Sequence, residues 1–309
     1  MPTPLRHVFL AEVPGQDRVL LRLTGDDAPR FLQGLLTADV GQLTVGRALP
    51  AALLTVKGKI VSEVIVLSPR DAEIWLAIPR ELVDAVQAQL EGHVIMDDVV
   101  IERLDHALAL VWGGSIEPSM ASLAGVVSFA TEHPLHGHLL VGPRTELDAW
   151  LSGQGGELVD APTFTALRID QARPAWGHEL VPDRFPPEVG FVDAVSYTKG
   201  CYMGQEPLSR IHNRGQVNRV MVRVEAERAP DESTGSIELF LAESEDPVGE
   251  WTSRVGARGL AIIKRKHAEP GKPLRTASGV ALKVSSGPLG DDPGGPGRTV
   301  TKVQLGGRR

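Results

Sequence analysis

One cysteine, Cys201, among 309 residues excludes an intramolecular disulfide. With no mark of secretion, a reducing cytoplasm is the expected setting. No segment approaches the roughly 18 unbroken apolar residues of a membrane span, and the opening stretch MPTPLRHVFLAEVPG has no apolar run of the signal-peptide kind. No membrane contact is expected. Positive charge is also scarce: 32 Lys and Arg stand against 39 Asp and Glu, a net charge of −7. That balance counts against direct binding of nucleic acid, where basic residues predominate. Neither a GxGxxG fingerprint nor a GxxxxGKS/T phosphate loop occurs, and there is no internal repeat. A single thiolate cannot supply the four ligands of a typical iron–sulfur cluster. His133, His136 and His138 in EHPLHGH are interleaved with Pro134 and Gly137, which reads as a surface loop rather than a metal site. No resident metal is expected.

The length suffices for two or three domains with substantial cores. Two early segments read as amphipathic helices. In TGDDAPRFLQGLLT, Asp26 or Asp27 caps the start, Pro29 fits the first turn, and Phe31, Leu32, Leu35 and Leu36 share a face. In IPRELVDAVQAQLEG, Leu82, Val83, Val86 and Leu90 form a stripe between Pro79 and Gly92. Around them lie β-like runs at 18–23, 52–56, 59–68, 73–78, 99–104 and 107–113, with hairpin signals at Lys57-Gly58 and Pro69-Arg70-Asp71. Such loops are too short for parallel crossovers, so the fold class is α+β with antiparallel sheets. From residue 216 onward helical periodicity gives way to closely spaced short strands, the pattern of a small β-barrel or sandwich. The Gly- and Pro-rich end, SSGPLGDDPGGPGRTVTKVQLGGRR, reads as loop or mobile tail. The expected division is 1–215, with two interwoven α+β parts of which one is centred on about 48–105, and 216–309, the barrel and tail.

Chemistry concentrates in SYTKGCYMGQEPLSRIHNRG, residues 196–215. From Lys199 to Arg223 there are five basic residues and one acid, Glu206. Gly204 interrupts the chain, and QEPLSRIHN then reads as a short helix with Pro207 in its first turn and Gly215 as its stop. Cys201 just ahead of that helix, near Lys199, is placed for a raised thiolate fraction. The bland alternatives are a small buried thiol and a solvated basic face with Glu206 and Arg210 paired at i,i+4.

The run KGCYMGQE (199–206) resembles the signature of the YgfZ branch of the folate-binding GcvT/YgfZ superfamily, to which the glycine-cleavage aminomethyltransferase belongs. Further similarity lies in DDAPRFLQGLLTADV (26–40), KGKIVSEVIVL (57–67), LRIDQARPAWGHEL and PPEVGFVDAVSYTKG (within 167–200). The resemblance implies a GcvT-like multi-domain ring of two ferredoxin-like α+β parts and a C-terminal barrel around a pocket for tetrahydrofolate or a one-carbon derivative. It also implies a role beside iron–sulfur proteins or their assembly machinery, including cluster enzymes that modify tRNA. Asp170 matches the position of the family's pterin-binding glutamate, one methylene shorter. Trp176, Tyr197 and Tyr202, with Phe191, are candidate walls for the flat rings. Gln205 and Glu206 of the signature are candidate folate contacts, as are Arg210 and Arg214, with Arg219, for the carboxylate tail. Cys201, Lys199 and Glu63 are the candidate catalytic groups. Ser62 and Glu63 stand where active aminomethyltransferases carry paired aspartates, so folate-dependent aminomethyl transfer or demethylation is the alternative to the accessory role. A ligand-free interaction scaffold is the third reading.

Overall fold

A computed structural model of the chain describes residues 4–114, 125–231 and 235–290. Most of the Gly- and Pro-rich end, 291–309, lies outside the described residues. In chain order the first strand is β1 (Arg6–Phe9), followed by β2 (Arg18–Thr24), α1 (Ala28–Leu35), β3 (Ala48–Leu54), β4 (Ile60–Arg70), β5 (Glu73–Pro79), α2 (Val83–Glu91) and β6 (Val100–Leu104). Strands β2 to β6 form one antiparallel sheet in the order β3-β4-β5-β2-β6. Without its edge strand β3, this is the four-strand order of a split βαβ unit. The alternation of VLLRL and VIVL along β2 and β4 assigns the two faces. Leu21, Leu23, Val64 and Val66 face the apolar stripes of α1 and α2, and Leu20, Ile65 and Leu67 face the other way. Asp27 does occupy the position before α1, but its side chain does not cap the helix. Its carboxylate accepts instead from the Asp98 backbone N–H at 2.9 Å and from Arg30.

The second sheet is built from β7 (Ala107–Trp112), β8 (Val127–Thr131) and β9 (Gly137–Gly142), then α3 (Arg144–Gly153), β10 (Glu157–Leu158) and α4 (Ala161–Asp170). Its order is β10-β1-β7-β9-β8, so the N-terminal strand pairs antiparallel with β7 rather than with its sequence neighbour β2. The two sheets pack face to face through Leu20, Ile65, Trp75, Leu110, Phe129 and Leu139. The outer face of the second sheet is covered by Leu147 and Leu151 of α3.

After a long irregular stretch comes α5 (Gln205–Arg214). It leads into β11 (Arg219–Ala226), β12 (Ile237–Phe240), β13 (Pro247–Val255), β14 (Arg258–Lys264), β15 (Pro273–Thr276) and β16 (Ala281–Val284). These six strands close into a barrel, β11-β14-β13-β12-β15-β16. Val220, Val222, Val224, Trp251, Ala261 and Ile263 fill its interior. The alternate residues Met221, Leu260 and Ile262 point outward, into a separate apolar cluster with Leu54, Trp176 and Tyr202. That cluster is where the first sheet, the irregular stretch and the barrel meet. Among the described residues no helix is long and apolar enough to cross a membrane.

Candidate functional site

The loop that carries Cys201 is fixed at both ends. Gly204 has φ +80°, a left-handed conformation that side chains disfavour, and a Cβ there would come within 2.5 Å of the Thr55 carbonyl oxygen. Only glycine lets the start of α5 approach the β3–β4 turn this closely. At the other end Lys199 reaches back to α1, where its ammonium donates to the carbonyls of Gln33 (2.7 Å), Leu36 (2.6 Å) and Ala38 (2.7 Å). These include orphan acceptors of the kind found at every helix C-terminus, and a cation there also meets the negative end of the helix dipole. Burial lowers the Lys199 pKa to about 8, which leaves it mainly protonated at neutral pH. An ammonium has three N–H donors, and all three are taken. Lys199, expected as a catalytic neighbour of the thiol, is therefore a clamp with no donor left over. Lys199→Met is expected to cost about 1.5–3 kcal/mol, the value of a hydrogen bond to a charged group, read as a lower midpoint in urea unfolding.

Between these anchors Cys201 is exposed and forms no disulfide. Tyr202 turns the other way, into the junction cluster, at 7% exposure. Its buried hydroxyl has no hydrogen-bond partner among the described residues, and burial raises its pKa to about 12. The Gln205 side-chain oxygen accepts the Tyr202 backbone N–H at 3.2 Å and so braces the turn. Glu206 and Arg210 pair with each other on an exposed face, the bland reading of that stretch. The Arg214 side chain lies outside the described residues. Tyr197 stacks on His212, with ring centroids 3.9 Å apart. The positive charge of the segment is thus dispersed, with Arg223 turned toward the Asp170 carbonyl at 2.7 Å.

Asp170 ends α4 with its side chain half exposed. Arg258 Nη1 donates to Oδ1 at 3.1 Å, and Oδ2 carries no hydrogen bond among the described residues. Trp176 and Phe191 lie in the same junction cluster as Tyr202, at 4% and 3% exposure. They and Tyr202 are packed as core rather than spread along an open wall. Ile169, next to Asp170, belongs to that cluster too, so the structure brings Asp170, the aromatic residues and the Cys201 loop around one junction.

Glu63 is elsewhere. It is fully buried between the two sheets, with Oε2 on Arg18 Nη2 at 2.5 Å and Oε1 on His133 Nε2 at 2.6 Å. Burial alone would push its carboxyl up, but the Arg18 charge and the His133 contact outweigh it and hold the pKa below the ordinary glutamate value. Both oxygens are engaged, so the expectation of Glu63 as a catalytic group facing a ligand is corrected to that of an internal tie. The surface-loop reading of EHPLHGH is corrected with it. His136 is exposed, whereas His133 is 2% exposed. Sequence reasoning overlooked Arg18 and had His133 only as part of a surface loop. Among the described residues no group of three or more His, Cys, Asp or Glu could hold a metal.

Comparison with known proteins adds lineage to this geometry. Residues 219–287 match the family model for the CAF17 C-terminal beta-barrel domain. The chain is 30% identical over 244 residues to the tRNA-modifying protein YgfZ of Sodalis glossinidius (strain morsitans), covering 72% of this chain and 73% of that one. It is 28% identical over 294 residues to the human mitochondrial iron-sulfur cluster assembly factor IBA57, covering 87% and 82%. The glycine cleavage system aminomethyltransferase T of Bartonella henselae superposes with a TM-score of 0.74 over 92% of this chain and 86% of that one. Its 18% identity makes that likeness one of fold alone. With a GcvT-like pair of α+β units whose strands pair antiparallel except β1 with β10, a closed six-stranded barrel and a bacterial relative matched over most of its length, the chain belongs to the YgfZ family.

Proposed function

We propose that this protein is a cytoplasmic, tetrahydrofolate-binding accessory factor of iron–sulfur cluster assembly or repair, with Cys201 as its working thiol. The observation that carries the reading is the position of the sole cysteine. It is exposed on a loop clamped by Lys199 and Gly204, beside the junction that Asp170 flanks. The roles named for the relatives, tRNA modification for one and cluster assembly for the other, support a role beside cluster proteins, including those that modify tRNA.

The residues present fit a folate on two counts. Tyr202 holds a buried hydroxyl without a partner, as expected where a polar ligand atom completes the bond. Asp170 offers a carboxylate whose second oxygen is free of hydrogen bonds among the described residues, suited to the adjacent N–H donors of a pterin. Arg258 and Arg223, which already reach Asp170, fix the end of α4 that presents this carboxylate. Bound folate, plain or carrying a one-carbon unit, would supply the one-carbon chemistry or a conformational signal. This chain's residues orient it and hold the thiol nearby. The aminomethyl-transfer reading is weakened because Glu63 has no free oxygen.

Calorimetric titration with tetrahydrofolate tests the pocket. Wild type is expected to bind, and Asp170→Ala to bind at least about tenfold more weakly, the loss of a charged hydrogen-bond acceptor, with little change in melting temperature. Absence of wild-type binding, or equal affinity in the variant, would remove Asp170 from the account.

A further inference from the structure

Along α4, from Ala161 to Arg168, the structure holds a cavity of about 480 Å³ between that helix and β13. Its size lies within the usual range for small-molecule sites. Pro14, Pro162 and Val255 give it apolar walls, and Thr165, Arg168 and Ser253 contribute polar groups. No Asp or Glu lines it among the described residues, in a chain that has 39 of them.

The polar groups are fixed by a buried network. Arg168, 1% exposed, donates from Nη1 to Glu179 Oε2 at 3.1 Å and to the Arg173 carbonyl at 3.0 Å. Its Nη2 donates to Ser253 Oγ at 2.5 Å. Glu179, fully buried, also accepts from the Ala175 N–H and the Thr252 hydroxyl. The Arg168 charge is therefore compensated by Glu179, while a second guanidinium, that of Arg254, also lines the cavity and donates to the Gly235 carbonyl at 2.7 Å. Ser253 Oγ is used as an acceptor, so its own O–H remains to donate, and the Thr165 hydroxyl one turn before Arg168 supplies another donor. Donors gathered beside apolar walls, with no carboxylate to repel an anion, suit one chemical class.

We propose that this cavity is a second ligand site, for a small carboxylate with a flat apolar body, distinct from the folate contacts at Asp170 although its Val255 wall also packs on the junction cluster. The carboxylate accepts from the Ser253 and Thr165 hydroxyls, and the ring lies against Pro14, Pro162 and Val255. Thr165 is about 7.5 Å along the helix axis from Asp170, so occupancy is expected not to depend on Asp170. A ligand here bridges α4 and β13 and would pin the barrel to the rest of the chain.

The probes are 2-naphthoate and its uncharged counterpart 2-naphthamide, titrated by calorimetry into the full chain, with the His178 imidazole signals in NMR as a local reporter because His178 also lines the cavity. Expected are naphthoate binding with shifts at His178, naphthamide at least about tenfold weaker, loss of binding in Thr165→Phe, which fills the cavity, and weakening in Ser253→Ala. Melting curves establish that both variants are folded, and Ser253→Ala carries the test if Thr165→Phe does not fold. Asp170→Ala is expected to bind naphthoate like wild type. No binding to wild type, equal affinity for the amide, or no effect of Ser253→Ala overturns the proposal. Loss of naphthoate binding in Asp170→Ala overturns it differently, because the cavity would then be part of the folate site. Loss of tetrahydrofolate binding alone in Asp170→Ala leaves the second site standing.

Discussion

Cys201→Ser will fold with a melting temperature close to that of the wild type and will fail to support iron–sulfur enzymes in cells that lack their own YgfZ-type protein. The first half follows from exposure. Cys201 makes no disulfide and is open to solvent, and surface substitutions away from special features usually stay within about 0.5 kcal/mol. The loop's shape is set by Lys199 and Gly204 rather than by the thiol. The second half follows from chemistry, since a serine hydroxyl is neither a thiolate nucleophile nor a soft metal ligand at neutral pH. The check is a complementation assay with an aconitase-type cluster enzyme as readout, beside a melting curve of the purified variant. Full complementation by the serine variant would show that the thiol is dispensable. Unfolding of the variant would mean that the thiol is structural, the scaffold reading.

Glu63→Gln carries the largest expected cost in stability. It removes the charge that faces Arg18, whose side chain is 1% exposed, and leaves a guanidinium buried without its counter-ion. Removing one partner of such a pair typically costs about 3–5 kcal/mol. The cost depends on pH with a definite sign. The folded pKa of Glu63 lies below its ordinary value, so its contribution is present in full above the unfolded pKa of about 4.3 and is lost as pH falls through the folded value. Urea unfolding at neutral pH is expected to separate wild type from Glu63→Gln widely, and the gap to narrow below about pH 4. An equal midpoint at neutral pH, or a gap that widens in acid, would contradict the internal-tie assignment. Tetrahydrofolate binding is not expected to hinge on Glu63 beyond this loss of fold.

Much of the architecture was legible in order along the chain because its signals are local. The β-like runs of β2, β4 and β5, the stripes of α1 and α2, and the Gly204 to Gly215 bracket around α5 each lie within one element. What was not legible depends on partners distant in sequence. β1 pairs with β7 rather than β2, an interleaving that no local pattern reveals. α4 was passed over although Asp160 caps it and Pro162 sits in its first turn, because its apolar periodicity is weak. His133 looked like part of a turn beside Pro134 and Gly137, and only Glu63, 70 residues earlier, explains its burial. Lys199 looked like electrostatic support for a thiol, until the carbonyls at the end of α1 accounted for all its donors. At the candidate site, motif and sole cysteine marked a loop that the structure holds between Lys199 and Gly204 with the thiol exposed. The states of Trp176 and Tyr202 as packed core were set by the barrel's outer face, a surface with no signature in the motif.

The central claim is that folate and thiol serve one site, and a chain with a single cysteine permits a direct measurement of it. The rate at which a chromogenic disulfide reagent modifies Cys201 can be followed with and without saturating tetrahydrofolate, without interference from any other thiol. A clear change in that rate on folate binding, absent in Asp170→Ala, is the predicted result. An unchanged rate under conditions where calorimetry shows the folate bound would separate the two functions and contradict the account.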